Sequence, residues 1–295
     1  YDIEVERGVR YSKPTKAFNP INAISYYDNV SKQYCALLLD RDNVLVDRTL
    51  EDGTIFKRFT TEEQLLLHFL EQWNLIQPDI VTGWNCDYYD NPYLYQRLVN
   101  LFGEETACLL SPIRIVNTKE YRGNLEVSFA GISSMDYLKL FIKFKQSEQP
   151  NFKLATISQL VLGRGKIQYE GSLDDLYKTD IDKFIQYNVN DVELVVALDK
   201  KLNYINIGRG LCYKGHVPYD YFKFSSFYLD GAILKFAKTN DRIIFKVPSK
   251  YTGKAVGAFV KDPAIGIHEL LYSIDLQSLY PSIIRTCNIS PETQI

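Results

Sequence analysis

Three short stretches set carboxylates at spacings that can do chemistry. The first is DIE at residues 2–4. Residues i and i+2 of a strand point to the same face, so Asp2 and Glu4 stand side by side and repel each other unless a cation lies between them. The plainer alternative is an exposed edge strand with a solvated acidic face, which Glu6 continues. The second is GWNCDYYDNPY at residues 83–93. Asp90 there precedes a proline-initiated helix, and its alternative role is an N-cap; Asp87 is a neighbouring decoy. The third is YNVND at residues 187–191. Residues i and i+4 of a helix share a face. The Tyr187 phenol and the Asp191 carboxylate therefore point into one space, unless the tyrosine packs on the core beside an exposed aspartate.

Jointly these residues have a specific use. Two divalent metal ions roughly 4 Å apart need several carboxylates converging from separate elements, and Mg²⁺ prefers oxygen ligands. Such a pair activates water and stabilises the leaving oxygen of a phosphodiester, with Tyr187 placed to orient the water or help deprotonate it. His68, His216 and His268, the three histidines, fall outside all these motifs, which counts against a histidine-based hydrolase. A fourth stretch, YSIDLQSLYPSIIR at 272–285, ends an apolar strand on Asp275 just before a tight helical turn, another common place to hold a metal.

The elements that must position these groups follow from periodicity and punctuation. A strand opens the chain. INAISYY and QYCALLLD, joined by the turn-like DNVSK, read as a hairpin. Thr60 and Glu63 fit a capping box, after which Leu66, Phe69, Leu70 and Trp73 recur at helical spacing until Pro78. DIVTGWN reads as a strand running into a loop, 92–102 as a helix closed by Gly103, and 113–129 as a hairpin around RGN. Helices are expected over 151–162, ending at Gly163, and over 180–206, with Gly208 just beyond. This alternation predicts a mixed sheet with helices on its faces. Past about residue 208 an aromatic-rich loop, a helix over 225–238 and short strands are expected, so a domain boundary is placed near 206.

Composition narrows the classes. At 295 residues and 46% hydrophobic the chain suits one or two domains with a substantial core. No apolar run reaches the 18 or so residues of a membrane span, and the first residues lack the basic-then-apolar pattern of a signal peptide. Five scattered cysteines with no CxxC fit reduced thiols in a cytosol better than a disulfide framework or a zinc site. A formal net charge of −2 gives a nucleic-acid partner no bulk support, so that case rests on local patches.

DIE, then GWN-x(4)-DxPY, then Yx(3)D, in that order, resembles the three exonuclease motifs of B-family DNA polymerases, and the tyrosine of the third resembles the DEDDy subclass. DLQSLYPSI followed by NISPET resembles the family's first polymerase motif, and VTGWN, GISSMDY and GAFVKDP are similar to the T-even-bacteriophage type. The resemblance covers essentially the whole chain. It implies an α/β chain: an RNase H-like 3′→5′ exonuclease domain over 1–206, a mixed sheet flanked by helices, then a connecting helical segment over 207–246 and the start of a polymerase palm over 247–295. It implies two Mg²⁺ or Mn²⁺ ions held by Asp2, Glu4, Asp90 and Asp191, with Tyr187 positioning the attacking water. Tyr11 falls where such polymerases stack an aromatic on the frayed strand, and Lys166, in GRGKIQY, near a lysine that neutralises the scissile phosphate. Asp275, Leu276 and Tyr280 belong to the partial polymerase site, whose other carboxylate would lie downstream. The chain thus reads as a piece of a polymerase with one complete acidic site.

The basic tract after DIEVE fits that partner. Arg7, Arg10, Lys13 and Lys16 occur before Tyr27 with no acidic residue among them. A basic loop with an interleaved aromatic beside an acidic site suits a phosphate-tracking single strand, although a solvated loop has the same composition. Arg10, Lys13, Tyr11, Asn85 and Lys166 are the expected DNA contacts. Lys139, Lys143, Lys145 and Lys153 form another candidate patch, which reads equally as a solvated face. The expected partners are a single-stranded or frayed DNA 3′ end, or primer-template DNA, and the missing polymerase domains. No membrane partner is expected, and the expected location is the cytoplasm of a phage-infected host. A non-cleaving single-stranded-DNA-binding fragment is the alternative function.

Overall fold

Alternation along the first strand places the chemistry. Strand β1 (Asp2–Val5) pairs antiparallel with β2 (Ile21–Asp28), Asp2 opposite Ser25, Ile3 opposite Ile24 and Glu4 opposite Ala23. Ile3 and Ile24 enter one apolar cluster, whereas Ala23 belongs to another on the opposite face of the sheet. Asp2 and Glu4, out of phase with Ile3, therefore share the Ala23–Ser25 face. The same period-2 sorting continues in β3 (Gln33–Leu39), where Leu37 and Leu39 join the first cluster and Ala36 and Leu38 the second. A sheet buried on both faces explains why INAIS and CALLL read as continuous apolar runs.

The computed structural model describes residues 1–6, 12–121, 123–244, 257–290 and 293. Strands β4 (Arg48–Thr49) and β5 (Ile55–Phe59) complete a mixed five-stranded sheet in the order β1-β2-β3-β5-β4, with β5 parallel to β3. Helix α1 (Glu62–Ile76) packs Leu65, Leu66, Phe69, Leu70 and Trp73 into the first cluster. Its cap is Thr61, which accepts the Gln64 N–H at 3.3 Å, rather than Thr60. The shift by one residue leaves Glu62 in the first turn, where its buried carboxylate is used elsewhere. Strand β6 (Ile80–Val81) leads to α2 (Asp90–Phe102), α3 (Glu104–Ala107) and the hairpin of β7 (Val116–Tyr121) and β8 (Asn124–Phe129). β6 pairs parallel with β9 (Ser133–Ser134), before α4 (Tyr137–Phe144), α5 (Leu154–Leu162) and α6 (Leu173–Thr179).

Helix α7 (Ile181–Leu202) lies on the Ala23–Ser25 face and packs Phe184, Ile185, Tyr187 and Val189 against Ala23, Ala36, Leu38 and Phe56. It ends four residues earlier than the spacing predicts. Asn203 takes a left-handed C-cap (φ 57°), and α8 (Tyr204–Gly215) begins at once. Gly208 is thus not a terminator. It is buried mid-helix, and a Cβ there would lie 2.8 Å from Met135 Cε and 3.1 Å from Leu140 Cδ2. Glycine is required because α4 approaches closely, not because the chain turns.

The boundary placed at 206 falls inside α8, whose Tyr204 and Cys212 share a cluster with Tyr137, Leu140 and Leu198. After α9 (Ser225–Thr239) the first compact unit ends at Ile244. The second, Phe245–Ile295, contains α10 (Leu279–Thr286) and no strand among its described residues. Tyr272 and Ile274, read above as an apolar strand, are 87% and 75% exposed. A strand forms only with a hydrogen-bonding neighbour, and none lies beside this one among the described residues.

Candidate functional site

Asp2, Glu4 and Asp191 each offer a carboxylate oxygen within 4.8 Å of the others. Two elements bring them together: β1 supplies the pair at i and i+2, and α7 supplies Asp191 together with Tyr187, one turn earlier. Asp90 flanks this trio. It is the first residue of α2, not its N-cap, a place taken by Tyr89. Its Oδ1 turns back to accept the Ile3 N–H at 3.1 Å, tying α2 to the backbone between the two β1 acids. Burial pushes the Asp90 carboxyl up to about 7, against the pull of the Ile3 N–H and the N-terminal amine. Burial, then the charges of Asp90, Asp191 and Glu4, hold the Asp2 carboxyl well above the ordinary range. Such a group of acids is a site of negative potential that a cation relieves.

One cation is already built in. Lys166 Nζ lies 2.5 Å from Asp191 Oδ2 and donates to the Tyr187 hydroxyl at 3.1 Å. Burial works against its charge, but Asp191 and Tyr187 outweigh this and raise its pKa. Burial and the neighbouring Asp191 also raise the Tyr187 phenol, which stays protonated near neutral pH. Its ring stands edge-on to Tyr169 at 5.2 Å.

The donor set passes a test for a hard divalent ion. Asp191 Oδ1 is buried with no hydrogen-bond partner among the described residues, an arrangement that costs about 1–3 kcal/mol when nothing compensates. The converging ligands are carboxylate oxygens alone, the chemistry that suits Mg²⁺ or Mn²⁺ rather than zinc. A cavity of about 180 Å³ opens beside Glu4, its wall including Ser12, Asn19 and Tyr89.

The other expected residues divide. Asn85 sits in a left-handed turn (φ 67°), its N–H donated to Asp136 Oδ1 and its carbonyl accepting from Tyr88 and Tyr89, so it shapes the loop before α2. Lys13 and Lys16 are exposed. Arg10 and Tyr11 lie outside the described residues. Asp275, Leu276 and Tyr280 are exposed in the second unit. In the second basic patch, Lys139 is paired with Asp87 at 2.6 Å and Lys145 with Glu148 at 2.5 Å, and Lys143 donates to Ser225 Oγ. Asp87 groups with Cys86 and Asp136, apart from the acid trio, and its carboxylate is taken by Lys139, Ser134 and Asn91.

Two groups at the site were missed in the sequence. Asn188 donates from Nδ2 to Asp2 Oδ2 at 3.2 Å, and the Ser25 hydroxyl donates to Asn188 Oδ1. The signal for Asn188 was its place inside YNVND. Nothing marked Ser25 until its register opposite Asp2 was known.

The pattern of the DNA polymerase family B exonuclease domain matches residues 1–157, and that of DNA polymerase family B matches residues 221–295. The chain is 33% identical to a DNA-directed DNA polymerase of Escherichia phage RB69 and 32% identical to that of Enterobacteria phage T4, in each case over 99% of this chain and 35% of the relative. DNA polymerase 1 of Saccharolobus solfataricus is 28% identical over 99% of this chain and 34% of its own length. The chain therefore spans about a third of the length of these relatives. With more than half of its residues in the exonuclease-domain pattern, and motif, fold and acidic cluster agreeing, the chain belongs to DNA polymerase family B.

Proposed function

We propose that the first unit is a metal-dependent 3′→5′ exodeoxyribonuclease of RNase H-like fold that trims single-stranded or frayed DNA ends. On this reading residues 1–206 carry its catalytic part, 207–246 are a connecting segment, and 247–295 are the start of a palm containing Asp275, Leu276 and Tyr280. The observation that carries this reading is the convergence of Asp2, Glu4 and Asp191 around a buried carboxylate oxygen that lacks a partner among the described residues. Asp2, Glu4, Asp90 and Asp191 would hold two Mg²⁺ or Mn²⁺ ions. When bound, such ions supply an activated water and neutralise charge on the leaving oxygen.

The chain's own groups do the rest. Tyr187 presents a protonated hydroxyl beside Asp191 and orients the water. Lys166 holds that hydroxyl and brings positive charge to the scissile phosphate. Lys13 and Lys16, with Arg10 and Tyr11 of the same tract, track the strand, and the cavity beside Glu4 accepts its terminal nucleotide. The matching setting is the cytoplasm of a phage-infected cell; no helix among the described residues is long and apolar enough to cross a membrane.

The test is digestion of a 5′-labelled single-stranded oligonucleotide with and without Mn²⁺. Stepwise shortening that needs the metal supports the reading. Salt-sensitive binding with no shortening replaces it with a binding module. Within this mechanism Tyr187→Phe is expected to slow cleavage by about 10²-fold, the lower end of what a positioned proton donor contributes. The ring and its contact with Tyr169 are kept, so thermal stability should hold. An unchanged single-turnover rate would reassign Tyr187 to packing.

A further inference from the structure

The Asn188 amide joins three elements at one point. Asp2 and Ser25 face each other across β1 and β2, and Asn188 reaches both from α7. Ser25 and Asn188 are each 1% exposed, so water does not compete for these bonds. Donor and acceptor chemistry fixes the order. The amide NH₂ faces Asp2 and the amide oxygen faces away, the order that a carboxylate ionised to hold a metal requires, since it can only accept. The Ser25 hydroxyl supplies the donor that this oxygen then requires. Turning the amide over would set its oxygen against Asp2, acceptor against acceptor, and leave its NH₂ toward Ser25.

We propose that Asn188, oriented by Ser25, is a positioning residue that fixes the Asp2 carboxylate and thereby sets the metal affinity of the acidic site. The inference rests on the metal-dependent reading above. Asn188 follows Tyr187 directly and precedes Asp191 by three residues. The bond that aims Asp2 therefore also ties β1 to α7, the helix that carries Asp191. Hydrogen bonds behind a ligand do this generally: they hold the ligand in one orientation before the ion arrives, and their loss typically costs about 10–100-fold in affinity or activity.

The experiment measures Mn²⁺ binding to the 295-residue chain without DNA, by the electron paramagnetic resonance signal of free Mn²⁺, alongside the Mn²⁺ dependence of oligonucleotide cleavage. Asn188→Leu, similar in size but without the amide, is expected to weaken Mn²⁺ binding about 10–100-fold. Cleavage should return toward the parental rate when Mn²⁺ is raised by the same factor, because the ligands themselves remain. Ser25→Ala should weaken binding by less, and Ser25→Thr, which keeps the hydroxyl, should stay near the parent. A folded Asn188→Leu chain with parental Mn²⁺ affinity overturns the proposal. If that variant does not fold, parental affinity in Ser25→Ala overturns it instead. A parent chain that binds no Mn²⁺ removes the metal reading itself, an outcome distinct from both.

Discussion

Asp2→Ala combined with Glu4→Ala is expected to lower Mn²⁺-dependent exonuclease turnover by about 10³-fold or more. Removing a single well-placed charge-stabilising group from an active site costs about 10²–10³, and here two of the three converging carboxylates disappear together. The variant should also lose the thermal stabilisation that Mn²⁺ gives the parent, about 2.7 kcal/mol at a hundredfold excess over Kd. Binding of single strands in low salt should change little, because the exposed Lys13 and Lys16 are untouched. Measuring turnover, Mn²⁺-induced melting shift and oligonucleotide affinity on the same samples separates catalysis from folding. Parental turnover in the double variant would refute the assignment of these carboxylates.

The second large effect concerns stability. Arg97 and Glu62 form a two-point pair, Nε to Oε1 at 2.8 Å and the terminal nitrogen to Oε2 at 2.6 Å, with side chains only 11% and 8% exposed. Glu62 Oε1 also accepts the Ile21 N–H at 2.8 Å, and Arg97 donates to the carbonyls of Ala17 and Phe18. The pair thus pins the end of the basic tract to α1, α2 and the start of β2. Arg97→Ala leaves a carboxylate buried without its partner and should destabilise the first unit by about 3–5 kcal/mol. At about 2–4 °C per kcal/mol for a unit of this size, thermal unfolding should begin roughly 6–20 °C lower. Arg97→Met with Glu62→Leu should recover part of this by removing both charges. It cannot recover all of it, since the Ile21 N–H loses its acceptor. A loss below 1 kcal/mol in the single variant would mean that the pair is not the anchor described.

Local pattern made much of this site legible. DIE on a strand and Yx(3)D on a helix follow from periods of 2.0 and 3.6, and both pairs do point into one space. Asp90 was legible as a position but not as a contact, because its tie to the Ile3 N–H depends on where α2 docks. Gly208 misled for a related reason: glycine marks close packing as well as helix ends, and only the approach of Met135 and Leu140 tells the two apart. The early end of α7 at Asn203 is the same error seen from the chain side. Ser25 could not be read at all, since a serine in an apolar strand acquires meaning only through register. Lys166 was reached by resemblance; its contact with Asp191 spans a loop whose path no local rule predicts.

The bond between Asn188 and Asp2 joins residues 186 positions apart. During synthesis at about 5–20 residues per second, roughly 10–40 s separate the emergence of the first acids from that of α7. Through that interval β1 has its hairpin partner available but not the helix that completes the cluster. The entropic cost of closing such a segment grows only slowly with its length, so what the acidic centre waits for is the arrival of α7 itself, whereas the β2–β3 hairpin and α1 can pair locally before it. A chain halted before residue 191 would carry Asp2, Glu4 and Asp90 without the Asp191 carboxylate of α7 that completes the cluster.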